Sequence, residues 1–359
     1  MNYIYTKDER ITGKYVSFYH LEEILKDYSF WRMLEGTSEN GLPIPLYRIG
    51  EGNKRILLWS QMHGNESTTT RALVDILKLF SEQGYYFSDS QLYIIPMLNP
   101  DGANLYTREN FNKVDLNRDA INLSQKESQF LRRIFEEIKP AFCFNLHDQR
   151  TIFGVKDKPA TISFLAPAVD ESRSITIIRK KAMEVITKMN CNLQKLICNC
   201  VGRFDDSFNP NCTGDQFSLL GTPTILIESG FYPNDYLREQ TRKYIALSIL
   251  EGLKYINDNN VTGTLYQEYF QIPENRKNFC DYCIINDKNL TQRFYIQLEE
   301  TLHGEKVTFS PKLLEIGNKQ DYYAHHTYML SEVYNENNCN IDNIISHILA
   351  YIEDEVKKI

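Results

Sequence analysis

Four polar residues stand at the ends of apolar runs in this 359-residue sequence. His63 and Glu66 follow 55–62 (RILLWSQM), His147 follows 141–146 (AFCFNL) and Glu228 follows 222–227 (TPTILI). Two imidazoles and one carboxylate are a ligand set used by catalytic zinc, which leaves a position for water or substrate. The second carboxylate, Glu228, is then free to take a proton from water on the metal. A lone H-x-x-E arises by chance and reads as a solvated loop. A single histidine at a strand end reads equally well as a hydrogen-bonded structural residue. The ordered placement of all four behind buried strands makes coincidence a poor explanation.

The elements that must position them are legible from periodicity. A further apolar run, 92–98 (LYIIPML), is stopped by Asn99-Pro100-Asp101-Gly102, a strong turn signal. Helical spacing places Ala72, Leu73, Ile76, Leu77 and Phe80 on one face of 67–82. It does the same for Phe130, Leu131, Ile134, Phe135 and Ile138 in 125–138. A short helix-like stretch lies around 19–27, and long helix-like segments occupy about 170–189 and 235–257. Apolar strands alternating with amphipathic helices imply a three-layer α/β sandwich, a mixed central sheet flanked by helices. Ligands bind such sheets at the carboxyl ends of strands, where the four residues lie. A polar stretch at 257–263 (NDNNVTG) divides the chain into 1–260, the catalytic domain, and 264–359. The second part alternates in 281–286 and 293–298, continues through KVTFSPKLLEIG, and ends in a helix at 339–358. It reads as a small β-rich C-terminal domain.

Composition narrows the partners. A net charge of −7 and a pI near 5.6 argue against nucleic acid or an anionic membrane. No run could span a bilayer, and the start, MNYIYTKDERITGKY, has charges where a signal peptide needs an apolar stretch. Eight cysteines then read as reduced thiols in a cytoplasmic protein. Oligomeric state is not indicated.

Between the first and third strands lies NPDGANLYTRENFNKVDLNRD, dense in groups that bind carboxylate and oxyanion. With it, the chain resembles the zinc carboxypeptidases of the carboxypeptidase A type. The matches are HGNE at 63–66, NPDG at 99–102, TREN at 107–110, VDLNR at 114–118, NLHD at 145–148 and IESG at 227–230. Each is weak alone, but their order and approximate spacing agree along residues 50–255. The resemblance implies hydrolysis of the C-terminal residue of a peptide with a free carboxylate, by metal-activated water and one zinc per chain. His63, Glu66 and His147 would hold the zinc, and Asp115 would fix the tautomer of His63. Asn117 and Arg118 would grip the terminal carboxylate. Arg108 would stabilise the oxyanion, with Arg132 and Arg150 as other cations able to reach it. Glu228 would be general base, then acid, with Asp148 next in line. Arg118 has a plainer alternative, a surface ion pair with Asp115 or Asp119. A zinc amidase or deacylase, acting on a small acylated amino acid or cell-wall peptide, would use the same scaffold.

The digestive members carry a mobile tyrosine about twenty residues before the base. Here the stretch GRFDDSFNPNCTGDQF offers Phe204 and Phe208 instead. The resemblance also brings Asp215 near the base of the specificity pocket, which would favour a cationic terminal residue such as lysine, arginine or diaminopimelate. As a scaffold residue, Asp215 would instead cap a turn or bond backbone amides. Cys280-x-x-Cys283 and the cysteines at 191, 198, 200 and 212 read as incidental thiols, and His325-His326 as packed strand or turn.

Overall fold

The computed structural model describes residues 4–85, 87–334 and 340–358. The chain begins with helix α1 (Phe18–Leu25) and a hairpin of β1 (Arg32–Thr37) and β2 (Pro43–Ile49). Next come β3 (Lys54–Ser60), α2 (Thr68–Gln83), β4 (Ser90–Ile95), α3 (Pro100–Leu105), α4 (Lys126–Ile138) and β5 (Phe142–Asp148). Short strands β6 (Phe153–Val155) and β7 (Lys158–Pro159) precede β8 (Ile162–Leu165), α5 (Ile177–Leu193) and β9 (Val201–Arg203). Then follow α6 (Thr213–Leu219), β10 (Thr224–Ser229) and α7 (Glu239–Asp258).

Eight strands form one mixed sheet in the order β1-β2-β4-β3-β5-β10-β8-β9. The central strands β4, β3, β5 and β10 are parallel to one another. Alternation along β3 explains the layers. Ile56 and Leu58 enter a core with α2, α5 and α7, while Leu57 and Trp59 enter another with α4 and Phe217 of α6. All four side chains are fully buried, each worth about 1.5–3 kcal/mol. Two-sided burial is why these strands read as continuous apolar runs. The fold is therefore the expected α/β sandwich.

Several boundaries differ from expectation. β5 and β10 run on past their apolar residues, so His147 and Glu228 lie inside the strands, paired in register. Polar residues lengthened the strands because the parallel ladder still had partners for them. Helix α5 starts at Ile177, not near 170: Asp170 takes the Ser174 amide in a turn at 3.0 Å, and Thr176 caps the helix. Helix α7 starts at Glu239 because Asp235 accepts its amide at 2.7 Å. The periodic reading missed β1, β2, β8 and β9. Pro43 and Pro45 disguise β2, and β8 and β9 are only four and three residues long.

After α7, a 3-10 turn at Tyr266–Gln271 sets Tyr269 and Ile272 into the first core. β11 (Arg276–Lys277) pairs with β6. A four-stranded sheet follows, built from β12 (Phe279–Ile285), β13 (Arg293–His303), β14 (Lys306–Gly317) and β15 (Tyr323–Met329), in the order β14-β13-β12-β15. Helix α8 (Leu330–Val333) and helix α9 (Ile341–Val356) complete the described chain. The expected last helix began at 339, which lies outside the described residues, as does Cys339. Ile348 and Ile352 of α9 pack with Ile284 and Phe294, and the same cluster takes in Phe231 and Tyr236 from the first body. No helix among the described residues is long and apolar enough to cross a membrane.

Candidate metal centre

A loop after β3 carries His63 and Glu66, and it is held by the NPDG turn. Asn99 caps α3 and also donates to the Met62 carbonyl at 3.2 Å. Gly64 lies so close to Gly102 that a Cβ would meet its carbonyl carbon at 2.0 Å. Two of the quoted motifs are thus one packed unit, and any side chain at 64 would push them apart.

The loop meets His147 on β5. Nδ1 of His63 lies 2.8 Å from one oxygen of Glu66, and Nδ1 of His147 lies 3.0 Å from the other. The two Nδ1 atoms are 3.2 Å apart. The ligand atoms of these three residues all fall within 4.8 Å of one another. Two imidazole nitrogens and a carboxylate facing one point at these spacings are the donors a single zinc ion takes, so the residues fit the metal. On its far side His63 Nε2 meets Asp115 at 3.1 Å, as expected for a carboxylate that orients a ligand. Asp115 in turn caps the short helix that carries Asn117 and Arg118.

Charge is unevenly spread. Burial alone would raise Glu66, but His63 and His147 outweigh it and hold the carboxyl well below its usual range. Asp115 is held down in the same way, by His63 and Arg108 against burial. Burial lowers His147, favouring the neutral form that can bind a metal. Glu228 goes the other way: burial, then the charges of Glu66 and Asp148, push it well above the ordinary value. Its carboxyl has no hydrogen-bond partner among the described residues, in contrast to Asp148. That residue takes the Thr68 amide at 3.0 Å and the Ser229 hydroxyl, so it caps α2.

A cleft of about 380 Å³ contains the three ligands together with Glu228, Arg108, Asn117, Arg118 and Asp215. Arg108 is half-exposed and bridges Asp115 at 3.0 Å and Glu66 at 3.4 Å. Asn117 accepts from the Thr213 amide at 2.9 Å, which orients its side chain. Arg118 bonds the Asn117 carbonyl and the Cys212 thiol. It makes no ion pair among the described residues, because Asp119 is spent on the Ser124 and Gln125 amides. Asp215 lies in the first turn of α6 and accepts the Asn209 amide at 3.1 Å. Burial raises it to about 6. Arg150 lines the cleft, whereas Arg132 pairs with Glu136 on α4. Phe204, which stands in the stretch lacking a tyrosine, also lines it. Cys280 and Cys283 are buried thiols; burial raises Cys283 to about 11. Among the cleft residues without a sequence signal is Gln149, which buttresses the β10 end through Ser229.

A mixed α/β sheet with a His-Glu-His cluster at its strand ends defines an α/β protein built around a metal site. Residues 20–145 match the family model described as zinc carboxypeptidase. The match ends just short of His147, whose place beside His63 and Glu66 comes from the geometry. Carboxypeptidase SOL1 of Arabidopsis thaliana is 25% identical over 227 residues, 51% of this chain and 46% of that protein. Gamma-D-glutamyl-L-diamino acid endopeptidase 1 of Lysinibacillus sphaericus is 33% identical over 101 residues, 24% of this chain and 26% of that protein. The chain therefore spans less than half the length of either relative. A metallo-carboxypeptidase from Burkholderia cenocepacia shares the fold, with a TM-score of 0.54 at 14% identity over 68% of this chain and 69% of that one.

Proposed function

We propose that this chain is a zinc-dependent carboxypeptidase that removes the C-terminal residue of a peptide with a free carboxylate. The observation that carries this reading is Arg118, a cation without a carboxylate partner, in the same cleft as the His-Glu-His cluster. Exopeptidase action needs a fixed cation one residue beyond the scissile bond. Zinc held by His63, Glu66 and His147 supplies Lewis acidity, which polarises a carbonyl and acidifies water. Arg118 and Asn117 bind and orient the substrate's terminus. Arg108 places a guanidinium beside the cluster, where oxyanion charge would develop. Glu228 takes the proton from the attacking water and returns it to the leaving amine. An amidase or deacylase for acylated amino acids would also use Arg118, and a panel of peptides against N-acyl amino acids separates the two readings. The described cysteines are free thiols, which supports a reducing, cytoplasmic setting. The division at 260 and 264 assigns this chemistry to the first unit, though Tyr269 and Ile272 favour a junction nearer 272.

Arg118→Ala is the direct test. On free-carboxylate peptides it is expected to cost roughly 2–5 kcal/mol in kcat/KM, the range for truncating one member of a charge pair. Amidated peptides should change far less, and equal losses on both would remove the exopeptidase reading.

Asp215 sets the proposed preference for a terminal residue bearing an amine or guanidinium. Its buried carboxyl needs a donor beyond one backbone amide, and one relative is by name a diamino acid endopeptidase. In peptides differing only in the last residue, the parent should prefer lysine over leucine, and Asp215→Asn should level the two. A parent that prefers leucine ends the pocket-acid idea.

A further inference from the structure

A second cleft of about 480 Å³ opens from the other side of the metal centre. It shares Glu66, Arg108, Asp148, Gln149 and Arg150 with the first, and its far wall is the C-terminal sheet. If Arg118 marks the leaving side, this cleft faces the acyl side of the scissile bond. The inference rests on that reading.

The cleft lining carries both signs, with Lys14, Arg108, Arg150 and Arg238 against Glu66, Asp148, Asp281, Glu299 and Glu300, and what matters is which cations lack a partner. Glu300 is paired with Lys14 and bonded by Tyr106, and Glu299 is paired with Lys312. One oxygen of Asp281 is taken up by the Leu298 amide, the Gln297 amide group and Thr151, and the other is buried without a partner. Two cations remain. Arg150 is exposed and has no hydrogen bond or ion pair among the described residues. Arg238 is 3% exposed; its Nη2 donates to the Gln149 carbonyl at 3.1 Å, but its Nη1 is buried without a partner.

The placement of Arg238 sharpens the point. It is the N-cap of α7 with φ of 61°, the left-handed region that a bulky residue adopts only at a cost. The positive end of the helix dipole also disfavours a cation there. The scaffold contacts of Arg238 are the Gln149 carbonyl and the Phe231 ring, 5.9 Å from its guanidinium carbon, and neither occupies Nη1. A carboxylate in the cleft would satisfy the orphan N–H and add a second bond from Arg150, a charge-assisted arrangement suited to guanidinium groups.

The geometry points to an anion-binding subsite formed by Arg238 and Arg150, which selects peptides carrying a carboxylate on the acyl side of the scissile bond. The C-terminal sheet then has a role: it walls the subsite on the side of the buried Arg238.

The test compares acetyl-Glu-Ala-amide with its uncharged isostere acetyl-Gln-Ala-amide, titrated by ligand-observed NMR against the zinc-loaded full chain. The glutamyl peptide should bind at least about tenfold tighter. Arg238→Gln should abolish that advantage and Arg150→Gln should reduce it. Arg150 is exposed, so its variant keeps the test sound even if Arg238→Gln fails to fold. Equal binding of the two peptides, or a preference that survives in every folded variant, overturns the subsite. The free-acid forms of the same peptides separate this inference from the carboxypeptidase reading. Hydrolysis of both with equal kcat/KM removes the subsite alone. Selective binding without hydrolysis of either removes the carboxypeptidase reading and leaves the subsite standing.

Discussion

Glu228→Gln is expected to lower turnover by about 10²-fold or more while leaving bound zinc unchanged. The amide keeps the shape of the side chain but cannot accept a proton. Glu228 is not one of the three clustered ligands, and its strand position is fixed by the backbone ladder opposite His147, so the substitution should not disturb the metal. KM should stay close to the parent value, since Arg118 and Asn117 carry binding. Steady-state kinetics alongside elemental analysis provides the check. A variant with near-parent kcat would require another base. Asp148 could not fill that place without giving up the α2 cap and the Ser229 bond that hold it.

His147→Ala should have the larger effect, because it removes a ligand and not a proton carrier. The remaining His63 and Glu66 supply two donors where a catalytic zinc site needs three from the protein. Affinity should fall by more than the roughly 10–100-fold typical of losing a hydrogen-bond partner behind a ligand. Asp115→Asn, which alters such a partner, provides the internal comparison. Zinc should raise the unfolding temperature of the parent, by mass action on the folded state, and should do little for His147→Ala. Tight zinc binding by that variant would show that the ligands are wrongly assigned.

How far the sequence alone reaches depends on what each residue's signal was made of. The central strands were legible because helices cover both faces, which forces apolar runs such as ILLW and LYII. The three clustered residues were noticeable because each stands at or just past the end of such a run. The hairpin of β1 and β2 was hidden by its prolines, and β8 and β9 by their brevity. Cap residues set the starts of α5 and α7, yet Thr176 and Asp235 look like ordinary loop residues until the turn geometry is known. Arg238 was invisible for a different reason. Its neighbourhood, LREQTR, reads as a charged helix start, and only tertiary packing against Gln149 and the C-terminal sheet gives it meaning.

The central claim is that one zinc centre and one carboxylate-binding cation act together to trim peptides from the C-terminus. It is tested most directly by mass spectrometry of paired peptides, identical except for a free or amidated C-terminus, incubated with the zinc-loaded protein. The account predicts loss of a single terminal residue from the free-acid peptide, little change in the amide, and no cleavage of either once zinc is chelated. Internal cleavage, equal attack on both peptides, or activity that survives chelation would contradict it.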